Sequence, residues 1–226
     1  MIDVILCDDH ALIRRGIRDT LCDATDIRVV GEASDYGELR ALMRSLAAEN
    51  TARAGNGRPA NPCDVLVLDI NLPGRSGLDV LQALKEEGSN VRVVVVSMYP
   101  EDQYARRVLQ KGAYGYVNKG GDPQTIVQAV RTVAQGRRFA TPELMQVLME
   151  RVQEPESEKL HEKLSDRELQ TLILIARGKR LADIAEHLTL SPKTVSVYRA
   201  RLLEKLRLSN NAELTVYAIR NGLVPE

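Results

Sequence analysis

Apolar residues follow two patterns along the chain, and the change comes after residue 135. Before it, short and nearly continuous apolar runs recur: "IDVILC" from Ile2, "IRVVGEA" from Ile27, "CDVLVLD" from Cys63, "VRVVVVS" from Val91 and "AYGYV" from Ala113. These read as strands. Between and after them, residues 11–24, 35–48, 77–87, 101–111 and 123–135 carry apolar positions at helical spacing. A run such as "VVVV" lacks the polar alternation of a strand with one wet face. The pattern therefore predicts a doubly wound, five-stranded parallel α/β domain over residues 1–135, with helices on both faces. In such sheets functional groups gather at the carboxyl ends of the strands, where the strand order reverses.

Beyond that point the pattern is helical only. Residues 136–163 loosen into a Glu-rich stretch, "MERVQEPESEKLHEK", which reads as a linker with some helical character. In residues 164–226, "LSDRELQTLILIARG" opens with Ser165 three residues before Glu168, the capping-box spacing, and closes at Gly178. "LADIAEHL" predicts a short second helix and "TLS" a turn. Ser191 then caps a third helix beginning at Pro192, and a last helix runs from Asn211 to Asn221. This is the organisation of a small all-α helix-turn-helix domain. Residues 47–63, "AAENTARAGNGRPANPC", read as a mobile polar insertion.

Composition narrows the function classes. Hydrophobic residues at 44% and charged residues at 27% suit a globular chain, and no apolar run approaches the roughly 20 residues that cross a bilayer. The N-terminus enters a strand at once, with no basic segment or cleavage site, so a cytoplasmic protein without a membrane partner is expected. Cys7, Cys22 and Cys63 have no metal-ligand spacing and read as ordinary thiols. Net charge is zero, yet residues 164–226 carry 10 basic and 7 acidic side chains, a weak pointer to nucleic acid.

The first domain's chemistry starts from an adjacent pair of carboxylates. Asp8 and Asp9 end an apolar run, where they repel each other and lose hydration. Asp69 ends the third predicted strand and would join them. Three hard-oxygen ligands suit Mg²⁺. Lys119 and the Ser97 hydroxyl, at the ends of the fifth and fourth strands, add groups that bind anions. Such a site could neutralise a phosphoryl group while one carboxylate accepts it.

Residues 1–135 resemble a two-component receiver domain. The likeness lies in "CDDH", "LVLDINLPGRSGLD", "VVVSM" and "GAYGYVNKG". The resemblance implies that Asp69 is phosphorylated by a partner sensor histidine kinase, and that Asp9, Asp69 and the Asn71 backbone carbonyl ligate Mg²⁺. It implies that Asp8 acts mostly through water and that Lys119 pairs with the phosphoryl oxygens. Ser97 would move toward the phosphoryl group and let Tyr116 turn inward.

Residues 164–223 are similar to the LuxR/FixJ type of DNA-binding domain, through "LSDRELQTLILIARG", "ADIAEHLTLSPKTVSVY" and "LLEKLRL". The whole chain thus resembles a NarL/FixJ-type response regulator. That implies promoter DNA as a partner, a recognition helix at Ser191–Leu206, and a homodimer formed through the last helix. Where the family commonly reads Thr-Val-Lys-x-His, this chain has Thr194-Val195-Ser196-Val197-Tyr198, and a further basic position is Ala200. The candidate contacts are Lys193, Thr194, Ser196, Val197, Arg199, Ala200 and Arg201. Lys193 and Arg201 would serve phosphates or bases, and Val197 a thymine methyl.

Two other readings stay open at this level. A regulator could bind DNA constitutively and use its receiver only to dimerise. A Mg²⁺-dependent phosphatase could turn over through an aspartyl phosphate, but such enzymes usually place a carboxylate two residues past the nucleophile, where this chain has Asn71.

Overall fold

The computed structural model describes residues 1–54, 60–99, 101–146 and 160–224, with backbone only at 101–103. The chain divides into two compact units, Met1–Val152 and Gln153–Glu226. In the first, strands β1 (Ile2–Cys7), β2 (Ile27–Ala33), β3 (Val65–Asp69), β4 (Arg92–Ser97) and β5 (Gly115–Asn118) alternate with helices α1 (Ala11–Cys22), α2 (Tyr36–Ala54), α3 (Gly77–Glu86), α4 (Glu101–Gln110) and α5 (Pro123–Ala134). The sheet is wholly parallel in the order β2-β1-β3-β4-β5. The order reverses between β1 and β3, which opens a crevice at their carboxyl ends.

The apolar runs explain this arrangement. Every residue of β3 is buried, as are five of the six in β4. One core packs Val4, Leu6, Val65, Val67, Val94 and Val96 against Ile17 and Leu21 of α1 and Ile126, Val130 and Val133 of α5. The same burial pushes the thiols of Cys7 and Cys63 up to about 12, Cys7 further opposed by the nearby Asp69 and Asp8 carboxylates. Both stay protonated near neutrality.

The insertion at residues 47–63 departs from the mobile loop expected of it. Helix α2 continues through its first part, because "LAAENTARA" is rich in alanine and its side chains hold the returning segment. Thr51 Oγ1 donates to Ala47 O at 2.7 Å and accepts from the Ala60 N–H at 3.0 Å, while Asn50 Nδ2 donates to Asn61 O at 2.8 Å. Residues 55–59 of that insertion lie outside the described residues.

Both ends of the expected linker at 136–163 carry hydrogen bonds to the units beside them. The Phe139 N–H donates to Tyr114 O at 2.8 Å and bridges to Gly115, which keeps this segment with the sheet. At the other end Leu160–Lys163 forms a 3₁₀ turn whose His161 N–H donates to the Tyr217 hydroxyl at 3.2 Å. Residues 147–159 lie outside the described residues.

The second unit holds helices α6 (Asp166–Ala176), α7 (Leu181–His187), α8 (Pro192–Leu206) and α9 (Asn211–Arg220). Ser165 and Glu168 form the capping box predicted for α6, and Ser191 caps α8, accepting from the Thr194 N–H at 3.1 Å. Helix α7 ends in a Schellman motif: the Leu190 N–H donates to Ala185 O at 2.8 Å and the Thr189 N–H to Glu186 O at 3.1 Å. Thr189 carries the left-handed conformation of this motif, with φ 54°. A β-branched residue is strained there, where glycine is usual. Thr189→Gly should therefore stabilise the second unit by about 1 kcal/mol. Urea titration of the full chain, followed at the amides of α7 and α8, checks this, and an unchanged midpoint would contradict it.

Candidate functional site

The switch in strand order brings the acidic residues together. Cys7 pairs with Leu68 across β1 and β3, so the next positions, Asp8 and Asp69, emerge side by side. Both are 2% exposed. The Lys119 ammonium, just past β5, lies 2.6 Å from Asp8 Oδ2 and 2.8 Å from Asp69 Oδ2. Part of the cation expected beside the acidic pair is thus a lysine. Asp9, a quarter exposed, lies 2.6 Å from His10 Nδ1. His10 is exposed, and its ring joins the acidic group.

Asp8, Asp9, His10 and Asp69 each bring one ligand atom within 4.8 Å of the others. Three carboxylates gather around one ammonium, so negative charge exceeds positive among them. The oxygens Asp8 Oδ2, Asp9 Oδ1 and Asp69 Oδ2 are buried without a well-directed hydrogen bond, so their close charged neighbours leave coordinating capacity unused. A hard divalent cation fits this donor set and this charge. Burial raises the Asp69 carboxyl to about 6; Lys119 and the Asn71 N–H pull it down, while Asp8 pushes it further up. Near neutrality it is mainly ionised.

Residues outside the expected set hold the loops. Arg14 Nη1 donates to Asp8 O at 2.6 Å, and Arg14 Nε to Glu32 at 3.1 Å. Gly77 lets α3 press onto the end of β3: its N–H donates to Ile70 O at 2.7 Å, and a Cβ there would sit 2.1 Å from Asp69 O. The Ser76-x-x-Asp79 capping box beginning α3 was legible in "SGLD"; the close approach of Gly77 was not. Ser97 ends β4, buried, and accepts from the Tyr99 N–H at 3.1 Å. Tyr116 is also buried, and its hydroxyl donates to Tyr99 O at 2.6 Å. Tyr99 was absent from the residues singled out by sequence, because its contribution here is made by backbone atoms.

In the second unit α8 buries Val195, Leu202 and Leu206, with Tyr198 half-buried. Its outer face exposes Lys193, Ser196, Val197, Ala200 and Arg201. Two other candidate contacts have internal partners. Thr194 Oγ1 lies 2.8 Å from Ser191 Oγ, and Arg199 Nε donates to Asn211 Oδ1 at 2.6 Å, tying α8 to α9. Lys205 Nζ donates to Glu168 at 2.7 Å and fastens α8 to α6.

An α/β unit with clustered acids at its strand-order switch, followed by a helix-turn-helix unit, is the organisation of a class of DNA-binding regulators, and comparison with known proteins agrees. Residues 4–131 match the response regulator receiver domain family, and residues 162–218 the LuxR family of bacterial regulatory proteins. The chain is 36% identical over 224 residues to the response regulator UvrY of Escherichia coli K12, covering 99% of this chain and 96% of that one. It is 37% identical over 224 residues to the response regulator GacA of Pseudomonas protegens, covering 99% and 98%. RcsB from Salmonella enterica serovar Typhimurium, solved on promoter rprA with the phosphomimetic BeF₃⁻, aligns at TM-score 0.58 with 25% identity over 96% of this chain and 97% of that one. The chain belongs to the NarL/FixJ family of response regulators, DNA-binding transcriptional outputs of two-component systems rather than enzymes. Among the described residues no helix is long and apolar enough to cross a membrane.

The Glu168–Lys205 link yields a prediction for the DNA-binding unit. Burial raises the Glu168 carboxyl, but the Lys205 ammonium and the Ser165 N–H and hydroxyl outweigh it and hold the group below its ordinary value. A carboxyl lowered by folding adds stability above its unfolded pKa of about 4.3, and that stability is lost as pH falls through the folded value. Glu168→Gln should cost the second unit about 2 kcal/mol at neutral pH. It should also flatten the loss of stability on acidification, as read from denaturant midpoints at several pH values. An equally steep acid loss in the variant would refute this.

Proposed function

We propose that this chain is a transcriptional regulator switched by phosphorylation of Asp69, with a sensor histidine kinase as donor and promoter DNA as target. The observation that carries this is the Lys119 ammonium held between the buried carboxylates Asp8 and Asp69 at the strand-order switch. An Asp69 carboxylate oxygen attacks the phosphorus of a phosphohistidine; the P–N bond breaks and the imidazole nitrogen leaves with its electron pair. Asp9, Asp69 and the Asn71 carbonyl would hold Mg²⁺, with Asp8 acting mostly through water. Mg²⁺, when bound, neutralises phosphoryl oxygens as negative charge gathers on them. Lys119 supplies the fixed positive charge on the other side, and Ser97 with Tyr116 passes the change onward. The receiver likeness and the fit of the acidic group to a divalent cation support these roles.

On this reading phosphorylation shifts a population toward a form that dimerises and binds paired half-sites. A LuxR-type domain and the DNA-bound RcsB relative support a DNA partner for this chain. Lys193 and Arg201 would contact phosphates or bases and Val197 a thymine methyl, with Ser196 and Ala200 on the same exposed face. Thr194 and Arg199, which have partners within the unit, would hold the helix start and its seat on α9 rather than lead in contact.

Intact mass after incubation with a small phosphoryl donor should show one phosphoryl adduct that requires Mg²⁺ and disappears in Asp69→Asn. No adduct under conditions that label a control receiver, together with unchanged DNA binding, would favour a constitutive regulator. For the recognition helix, Lys193→Ala should weaken binding to all sequences alike and reduce the slope of log affinity against log salt by about 1. A changed base preference with the slope intact would reassign Lys193 to base reading.

A further inference from the structure

The backbone of one residue, Tyr99, lies between Ser97 and Tyr116, which the receiver resemblance couples in a switch. Its N–H donates to Ser97 Oγ at 3.1 Å, and its carbonyl accepts from the Tyr116 hydroxyl at 2.6 Å. The same carbonyl accepts from Asn118 Nδ2 at 3.2 Å, beside Lys119. The Tyr99 side chain takes no part in these bonds. It stacks instead on Tyr104 of α4, with ring centroids 4.6 Å apart and planes 20° from parallel. Stacked aromatic pairs at this separation resist sliding and tilting, so the contact restricts rotation of the residue that bears the ring.

We propose that the Tyr99–Tyr104 stack is a latch that holds the Tyr99 backbone, with its N–H and carbonyl on either side of the Cα, in place as a relay between the Ser97 hydroxyl and the Tyr116 phenol. Tyr99 and Tyr104 are then positioning residues: neither acts on the phosphoryl group, and both act through the Tyr99 backbone. With the latch closed, Tyr116 keeps its hydroxyl on the Tyr99 carbonyl, and displacement of the Ser97 hydroxyl is passed through the Tyr99 Cα, whose rotation the stack restricts, to that carbonyl. With the latch open, Ser97 and Tyr116 move independently. The link to phosphorylation rests on the proposed function, but the ring geometry does not.

The test uses the full chain carrying fluorotyrosine, with fluoroberyllate and Mg²⁺ as the phosphoryl mimic. Tyr104→Leu removes the stack and keeps an apolar side chain, whereas Tyr104→Phe keeps the stack. Fluoroberyllate binding should weaken about two- to tenfold in Tyr104→Leu, the range an aromatic pair supplies, and stay at the wild-type value in Tyr104→Phe. In a Tyr116→Phe background, which lacks the hydroxyl bond to Tyr99, Tyr104→Leu should add no further weakening. Equal weakening in both backgrounds would mean that Tyr104 acts as ordinary packing, and the latch would be wrong. The fluorine resonance of Tyr116, assigned by its loss in Tyr116→Phe, gives a second reading. It should shift or broaden in Tyr104→Leu but not in Tyr104→Phe, and an unchanged resonance in Tyr104→Leu would overturn the latch. If the wild type takes up no fluoroberyllate, the phosphoacceptor reading fails, and the resonance alone decides the latch.

Discussion

The first unit is organised around one electrostatic constraint: two carboxylates, Asp8 and Asp69, are nearly inaccessible to solvent and share a single ammonium. Burying a charge costs several kcal/mol unless it is paired, and one lysine between two acids compensates only in part. The fold keeps this arrangement because the surrounding structure leaves few alternatives. Parallel pairing of β1 with β3 sets the two acids side by side, and the β4–β5 pairing, with the Lys119 N–H bound to Ser97 O at 2.8 Å, brings the lysine to them. The remaining negative charge suits the crevice to a divalent cation. The raised Asp69 carboxyl reflects its burial first, offset by Lys119 and added to by Asp8.

The second unit meets a different demand, a helix held firmly enough to present an exposed face. Helix α8 is fastened at its middle and near its C-terminal end. Arg199 reaches Asn211 of α9, and Lys205 reaches Glu168 at the start of α6. Its exposed residues include the cations Lys193, Arg201 and Lys205, the acid Glu204, small residues and Val197, which is 43% exposed. On the proposed reading such a face would gain less from phosphate attraction than a strongly basic helix, leaving more of the discrimination to shape and apolar contact with bases.

How much of this was legible in the sequence depends on whether side-chain pattern or backbone path sets the feature. The strands were legible because buried parallel strands are apolar on both faces, as "VVVV" shows. The helix starts at Ser165 and Ser191 were legible because capping is local chemistry. The acidic group was legible once Asp8, Asp9, Asp69 and Lys119 were placed at strand ends. Other features depend on where the chain travels in space. Gly77 matters because of how near it comes to Asp69 O, and Tyr99 because of its backbone groups. Neither carries a signal in residue type alone. The region after residue 47 misled for another reason: its polar composition suggested a loop, while its alanines and the Thr51 and Asn50 hydrogen bonds favour continued helix.

These particulars bear on how a signal could leave the acidic site. A phosphoryl group adds up to about two negative charges, but it would arrive where a divalent cation and Lys119 counter them within a few ångströms. Charges compensated so closely project little field beyond about 10 Å at moderate salt. On the proposed reading the phosphoryl charge would be a poor long-range messenger, and the change would pass by displacement of groups in contact. The groups in line are a hydroxyl at Ser97, the backbone of Tyr99 and the phenol of Tyr116. All three are neutral and joined by directional bonds, so a shift at one end changes the geometry at the other without moving charge through the core.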